Sequence, residues 1–193
     1  MAKAVETGKS GVKKTAAKAG TEPKAKNPTK KAAAAAAAAA LPGVGEHAPD
    51  FALPADDGSK ISLAGLKGQK VVLYFYPKDD TPGCTVEAIA FSAKKAQFEK
   101  AGAVVLGVSK DTIAAHCKFR DKHNLTVRLL SDESGEMLEA YGVWAEKKLY
   151  GRAFMGINRT TFLIDSKGVI RRTWPKVKVD GHADEVLAAV KEI

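Results

Sequence analysis

Past residue 50 the chain shows two alternating kinds of hydrophobic pattern. "VVLYFYP" (Val71 to Pro77) and "AVVLGVS" (Ala103 to Ser109) are near-continuous apolar runs rich in β-branched and aromatic residues, as expected of strands covered on both faces. Between them, Thr85 to Lys100 carries Val86, Ile89, Ala90, Ala93 and Phe98 at roughly helical spacing, closed by Ala101-Gly102, which predicts a helix buried along that set. "KDTIAAHCKFRDKHN" predicts a second helix, with Asp111 or Thr112 as N-cap and Ile113, His116 and Phe119 near one face. Residues 134–141 read as a short helix, "TTFLIDSKGVIRRTW" as two strands joined around Ser166-Lys167-Gly168, and "HADEVLAAVKEI" as an amphipathic closing helix. Short extended pieces at Phe51 to Leu53 and Ile61 to Leu63 flank the turn-like "ADDGSK". Strands alternating with helices and ending in a hairpin and a helix imply an α/β layered domain with a mixed sheet.

Upstream, the periodicity stops. Residues 1–40 hold nine Lys against two Glu, no aromatic residue, and a run of nine alanines from Ala32 to Ala40, a composition that cannot bury a core. The division is therefore a disordered Lys/Ala-rich tail over 1–41 and one domain over 42–193. The tail carries +7 of the formal +9, so the domain is nearly neutral. Such an arm fits either weak contact with DNA or another polyanion, or a solvated solubility tail, since Lys without Arg or aromatics attracts phosphate but reads no base. The alanine run with Leu41 is short of the ~18 apolar residues a membrane span needs. A signal peptide is not expected either, as its charged region would extend over about thirty residues. Two cysteines, Cys84 and Cys117, make neither a disulfide framework nor a zinc module, and point to a reducing, cytoplasmic compartment.

The chemistry gathers at "FYPKDDTPGCTVEA" (Phe75 to Ala88), where Cys84 follows Thr81, Pro82 and Gly83 at a switch from strand to helix. A cysteine is nucleophilic as its thiolate, and a first-turn position aims unpaired backbone N–H groups and the positive end of the helix dipole at the sulfur. Most free cysteines are small buried hydrophobes, but strand-to-helix switches are where α/β folds place their sites. Pro82-Gly83 is expected to supply the turn. Asp79 and Asp80 oppose a thiolate, so a cation must offset them.

Pro77, Thr81 and Cys84 spell Pro-x-x-x-Thr-x-x-Cys, which resembles the active-site signature of the peroxiredoxins, and "YPKDDTPGCTVEA" resembles their bacterioferritin-comigratory, or peroxiredoxin Q, branch. "GEHAPDFALPADDG", "LLSDESGEMLEAYGVW", "MGINRTTFLID" and "RTWPKVKVDGHADEVL" resemble that branch in the same order. The resemblance implies a thioredoxin-like fold and a monomeric enzyme that reduces hydrogen peroxide or organic hydroperoxides without metal or flavin, recycled by a thioredoxin-like reductant. By the same resemblance Cys84 is the peroxidatic residue, Thr81 bonds sulfur and peroxide, and Pro77 shields the thiolate. Arg159 matches the family's active-site arginine, a permanently charged fork suited to hold thiolate and leaving oxygen, and the cation expected to offset Asp79 and Asp80. Glu87, one turn after Cys84, is expected either to orient Arg159 or to lie on a solvated helix face.

Many members of the branch carry a resolving cysteine five residues after the peroxidatic one, where this chain has Ile89. Another subgroup carries it on the helix that holds Cys117, about one turn further on, near Arg120. Cys117 is thus either the resolving cysteine or a packing residue in a one-cysteine enzyme. His116 is expected to be an ordinary helix-face histidine. A dithiol oxidoreductase would need a cysteine at position 87, which is Glu, and a cysteine hydrolase a histidine base in register with Cys84. The non-enzymatic alternative is a nucleic-acid-associated protein whose basic tail acts and whose domain is scaffold.

Overall fold

A computed structural model of the chain describes residues 40–149 and 151–193; the tail predicted over 1–41 lies outside them except for its last two residues. In chain order the domain holds β1 (Ala52–Pro54), β2 (Lys60–Ser62), β3 (Lys70–Phe75), α1 (Pro82–Lys100), β4 (Ala103–Ser109), α2 (Ile113–His123), β5 (Arg128–Ser131), α3 (Glu136–Ala140), β6 (Trp144–Leu149), β7 (Arg152–Ile157), β8 (Thr160–Ile164), β9 (Ile170–Pro175) and α4 (His182–Glu192). The elements expected from periodicity are present within a few residues at each end. Strand β5 and the β6–β7 hairpin were not among them.

The central sheet runs β5-β4-β3-β8-β9. Strands β3, β4 and β5 are parallel, and β8 runs antiparallel to both β3 and β9, the mixed arrangement that a hairpin added to crossover units produces. The β3–β8 register pairs Phe75 with Thr160. The last residue of β3, from which the chain turns toward Cys84, therefore lies beside the first residue after Arg159.

Alternate residues of β3 feed two separate cores. Val71, Leu73 and Phe75 face α3 and the N-terminal strands, while Val72, Tyr74 and Tyr76 face α1 and α4. Both faces are covered, which is why the run reads as continuously apolar. Each fully buried large side chain, Phe91 and Phe98 of α1 among them, contributes about 1.5–3 kcal/mol.

The face that α1 buries departs from the expected one. Val86 and Ile89 are 52% and 44% exposed, whereas Cys84, Glu87, Ala88, Phe91 and Phe98 point inward. Hydrophobic spacing misreads the helix because a carboxylate and a thiol occupy inward positions that apolar periodicity assigns to solvent. The exposed Ile89 is the position where branch members carry a cysteine.

Close approach decides one glycine. A Cβ on Gly107 of β4 would lie 2.6 Å from Cζ and Oη of Tyr74 and 3.0 Å from Leu129, so Tyr74 can cover the strand only where the side chain is absent. Gly107→Ala is expected to destabilise the domain by about 1–3 kcal/mol, read as a lowered urea midpoint; an unchanged midpoint would show that the ring moves aside freely.

Candidate active site

The turn into α1 is made at Asp80, whose φ of 57° is left-handed. Thr81 then returns to extended backbone as N-cap, and Pro82 occupies the first helical position, where its missing N–H costs nothing and its φ suits the helix. Gly83 serves another purpose than the expected turn. A Cβ there would stand 3.3 Å from Nη2 of Arg159, so glycine leaves room for the guanidinium beside the helix start.

Cys84 follows in the first turn, 1% exposed. Arg159 Nη2 donates to its Sγ at 3.2 Å, and Nη1 donates to Glu87 Oε2 in a tight ion pair. The arginine reaches both because β8 begins one residue after it and lies alongside β3. One planar group thus fixes the thiol and the carboxylate in one geometry, a task a lysine could not perform. Burial weakens the guanidinium's hold on its proton, but Glu87 and Cys84 outweigh this and keep it more basic than usual.

Glu87 resolves in favour of the site and against a solvated face: its side chain is 1% exposed. Burial pushes its carboxyl up from 4.5 to about 7, with Arg159 opposing. Its Oε1 and the hydroxyl of Tyr74 are both buried without a hydrogen-bond partner, and the same burial, with Glu87 second, drives Tyr74 well above the ordinary phenol range.

The other expected residues are placed less centrally. The Thr81 hydroxyl donates to the Lys78 carbonyl at 3.1 Å, and Pro77 is exposed in the loop between β3 and α1. Cys117 is half-buried on α2 with its Sγ 3.4 Å from the Asp56 carbonyl, which Arg120 also grips at 2.7 Å. Both cysteines are free thiols.

One expectation requires correction. Arg159 does not offset Asp79 and Asp80, because its charge is engaged by Glu87. Helix α2 supplies their partners instead: Asp79 Oδ2 meets Nδ1 of His116 at 2.7 Å, and Asp80 meets Lys122 and His123 at 2.5 and 2.8 Å. His116 is fully buried, as is Phe119 of the same helix face. Lys147 of β6 was missed altogether. It donates to the Ile157 carbonyl and is held below the ordinary lysine range by burial first and the like charge of Arg159 second, with Cys84 opposing. The signal for it lay in Gly151, whose φ of +76° makes the turn of the hairpin between two short runs.

The AhpC/TSA family profile matches residues 44–173. A putative peroxiredoxin bcp of Coxiella burnetii is 57% identical over 144 residues, covering 75% of this chain and 95% of that protein. Peroxiredoxin Bcp of Bacillus subtilis is 46% identical over 150 residues, covering 78% and 96%. Among solved structures, peroxiredoxin Q of Xanthomonas campestris superposes with a TM-score of 0.71 at 44% identity, covering 74% of this chain and 90% of that one. A mutant PrxQ of Xylella fastidiosa gives 0.75 at 37%, covering 80% and 98%. With a buried cysteine in contact with a half-buried arginine at a strand-to-helix switch of a thioredoxin-like fold, the chain belongs to the AhpC/TSA family. Within it, the similarity is to the Bcp, or peroxiredoxin Q, branch, whose activity is that of a thiol peroxidase.

Because Glu87 is raised above its ordinary value, its contribution to stability is complete below about pH 4.5 and is lost as pH rises through about 7. Relative to Glu87→Gln, the wild-type protein is expected to lose about 3 kcal/mol between those limits. Urea unfolding of both proteins at pH 4.5 and 7.5 measures this, and a pH-independent difference would mean that Glu87 stays charged throughout.

Proposed function

We propose that Cys84 is the peroxidatic residue of this thiol peroxidase, acting on hydrogen peroxide and organic hydroperoxides. A solved relative from Xanthomonas campestris is described by its alkyl peroxide reduction activity. The thiolate sulfur attacks one peroxide oxygen; the S–O bond forms as the O–O bond breaks, and the departing oxygen takes a proton to leave as water or alcohol. Cys84 becomes a sulfenic acid. The observation that carries this reading is the Arg159 guanidinium 3.2 Å from a sulfur in the first turn of α1, a fixed donor positioned for the charge that develops. Thr81, its hydroxyl proton committed to Lys78, has lone pairs left to accept from the peroxide O–H. Pro77 borders the loop without offering a competing N–H. Glu87 orients Arg159.

Cys117 is the resolving thiol in this reading. It attacks the sulfenic sulfur, expels water and forms a disulfide, which a thioredoxin-like dithiol then reduces. It is the chain's other cysteine, on the helix that grips the loop before Cys84. A disulfide requires Cα atoms within about 4.4–6.8 Å, so its formation involves local unwinding. No helix among the described residues is long and apolar enough to cross a membrane, and a monomer in the cytoplasm, where thiols remain reduced, completes the proposal.

One equivalent of peroxide, added to the reduced protein without external thiol, is expected to yield a Cys84–Cys117 disulfide on mass mapping. A lasting Cys84 sulfenic acid with Cys117 free would make the enzyme one-cysteine, and an unoxidised Cys84 would sink the peroxidase reading. Cys84→Ser abolishes peroxide consumption, and Arg159→Lys lowers its rate constant about 100-fold or more. The Lys-rich residues 1–40 are assigned a weak polyanion contact: their deletion is expected to lower DNA affinity and its salt dependence while leaving turnover unchanged.

A further inference from the structure

Helix α2 meets the loop before Cys84 at three points, none of which the peroxide chemistry itself uses. The first is buried. Asp79 accepts from the Tyr76 hydroxyl on Oδ1 at 2.7 Å and meets His116 Nδ1 on Oδ2 at 2.7 Å, while Nε2 of the same ring faces the Leu130 carbonyl at 3.2 Å. The second is at the backbone: Asp79 N–H donates to Asp111 Oδ2 at 2.8 Å, just ahead of α2, and that oxygen also accepts from Ser109. The third is exposed, with Asp80 held by Lys122 and His123 in the last turn of α2. Between these anchors lies Asp80 in the left-handed region, a conformation that persists when its surroundings impose it. Four residues later the chain delivers Cys84 to Arg159.

The geometry points to His116 and Asp79 as positioning residues: their buried pair holds the loop in the conformation that seats Cys84 against Arg159, and its separation releases that cysteine toward the thiol that resolves it. This rests on Cys84 being peroxidatic, whichever thiol comes next. The seated cysteine is 1% exposed, adequate for a peroxide but closed to a second sulfur. Cys117 directly follows His116 on α2, so any local unwinding of α2 that frees the second cysteine also pulls the first ring from its carboxylate. Seating and release are then two positions of one clamp. The exposed Asp80 contacts are screened by salt, whereas a buried pair is screened much less.

The test compares full-length wild type with His116→Leu, with Asp79→Asn, which keeps the side chain's shape, and with the double variant. Oxidation of Cys84 by hydrogen peroxide, followed by stopped flow, is expected to slow about tenfold or more in each single variant, at low and high salt alike. Capture of the resulting sulfenic acid by a small external thiol is expected to become several-fold faster. The double variant is expected to be no worse than either single one. Unchanged oxidation, or slower oxidation without faster capture, overturns the proposal, and so does faster capture confined to variants whose circular dichroism shows a loss of fold, since unfolding alone would expose Cys84. A wild-type protein that leaves peroxide unconsumed is a different failure, that of the peroxidase reading itself.

Discussion

The candidate site of this domain is organised by one guanidinium shared between a thiol and a carboxylate inside the protein. Arg159 is useful only if it is desolvated enough for its hydrogen bonds to count and paired well enough to remain there, and Glu87 meets the second requirement. A buried carboxylate without a partner would be strongly unfavourable, and so would a buried arginine. The pair therefore sets conditions on the fold: β8 must lie beside β3, α1 must begin with a residue that leaves room, and the inward face of α1 must accept a charge. Gly83, the β3–β8 register and the unusual burial of Glu87 satisfy these conditions in turn.

The two helices next to the site divide the work. Helix α1 presents the sulfur at its first turn and anchors itself through Phe91 and Phe98. Helix α2 takes up the two loop carboxylates that would otherwise oppose negative charge on Cys84, drawing their fields toward His116, Lys122 and His123. Two carboxylates thus sit within a few residues of Cys84, each paired with side chains of α2.

The sheet and most helices were legible because continuous apolar runs and helical spacing leave few alternatives for β3, β4 and α4. Cys84 and Arg159 were legible from local motif and context, and the structure joins them. The inward face of α1 was not, since a sequence records which residues are polar but not which polar residues are buried with partners. For the same reason the pairing of His116 could not be read: its partner Asp79 is 37 positions away. Arg159 was credited with offsetting Asp79 and Asp80 because both are near Cys84 in sequence, while Glu87, the carboxylate it grips, was left open between that role and a solvated helix face. The β6–β7 hairpin was lost because its strands are mostly half-exposed or exposed, and charged residues such as Glu146 and Lys148 interrupt the apolar pattern.

Cys84 and Arg159 are 75 residues apart in the chain, and this separation bears on the protein's synthesis. The chain leaves the ribosome N-terminal end first, so α1 and its cysteine emerge well before β8 exists. Until that late strand slots in beside β3, the thiol has only a helix start to distinguish it from any other. With Cys84 in its proposed role, reactivity toward oxidants is acquired as the last strands dock, and a nascent or truncated chain carries a comparatively inert sulfur.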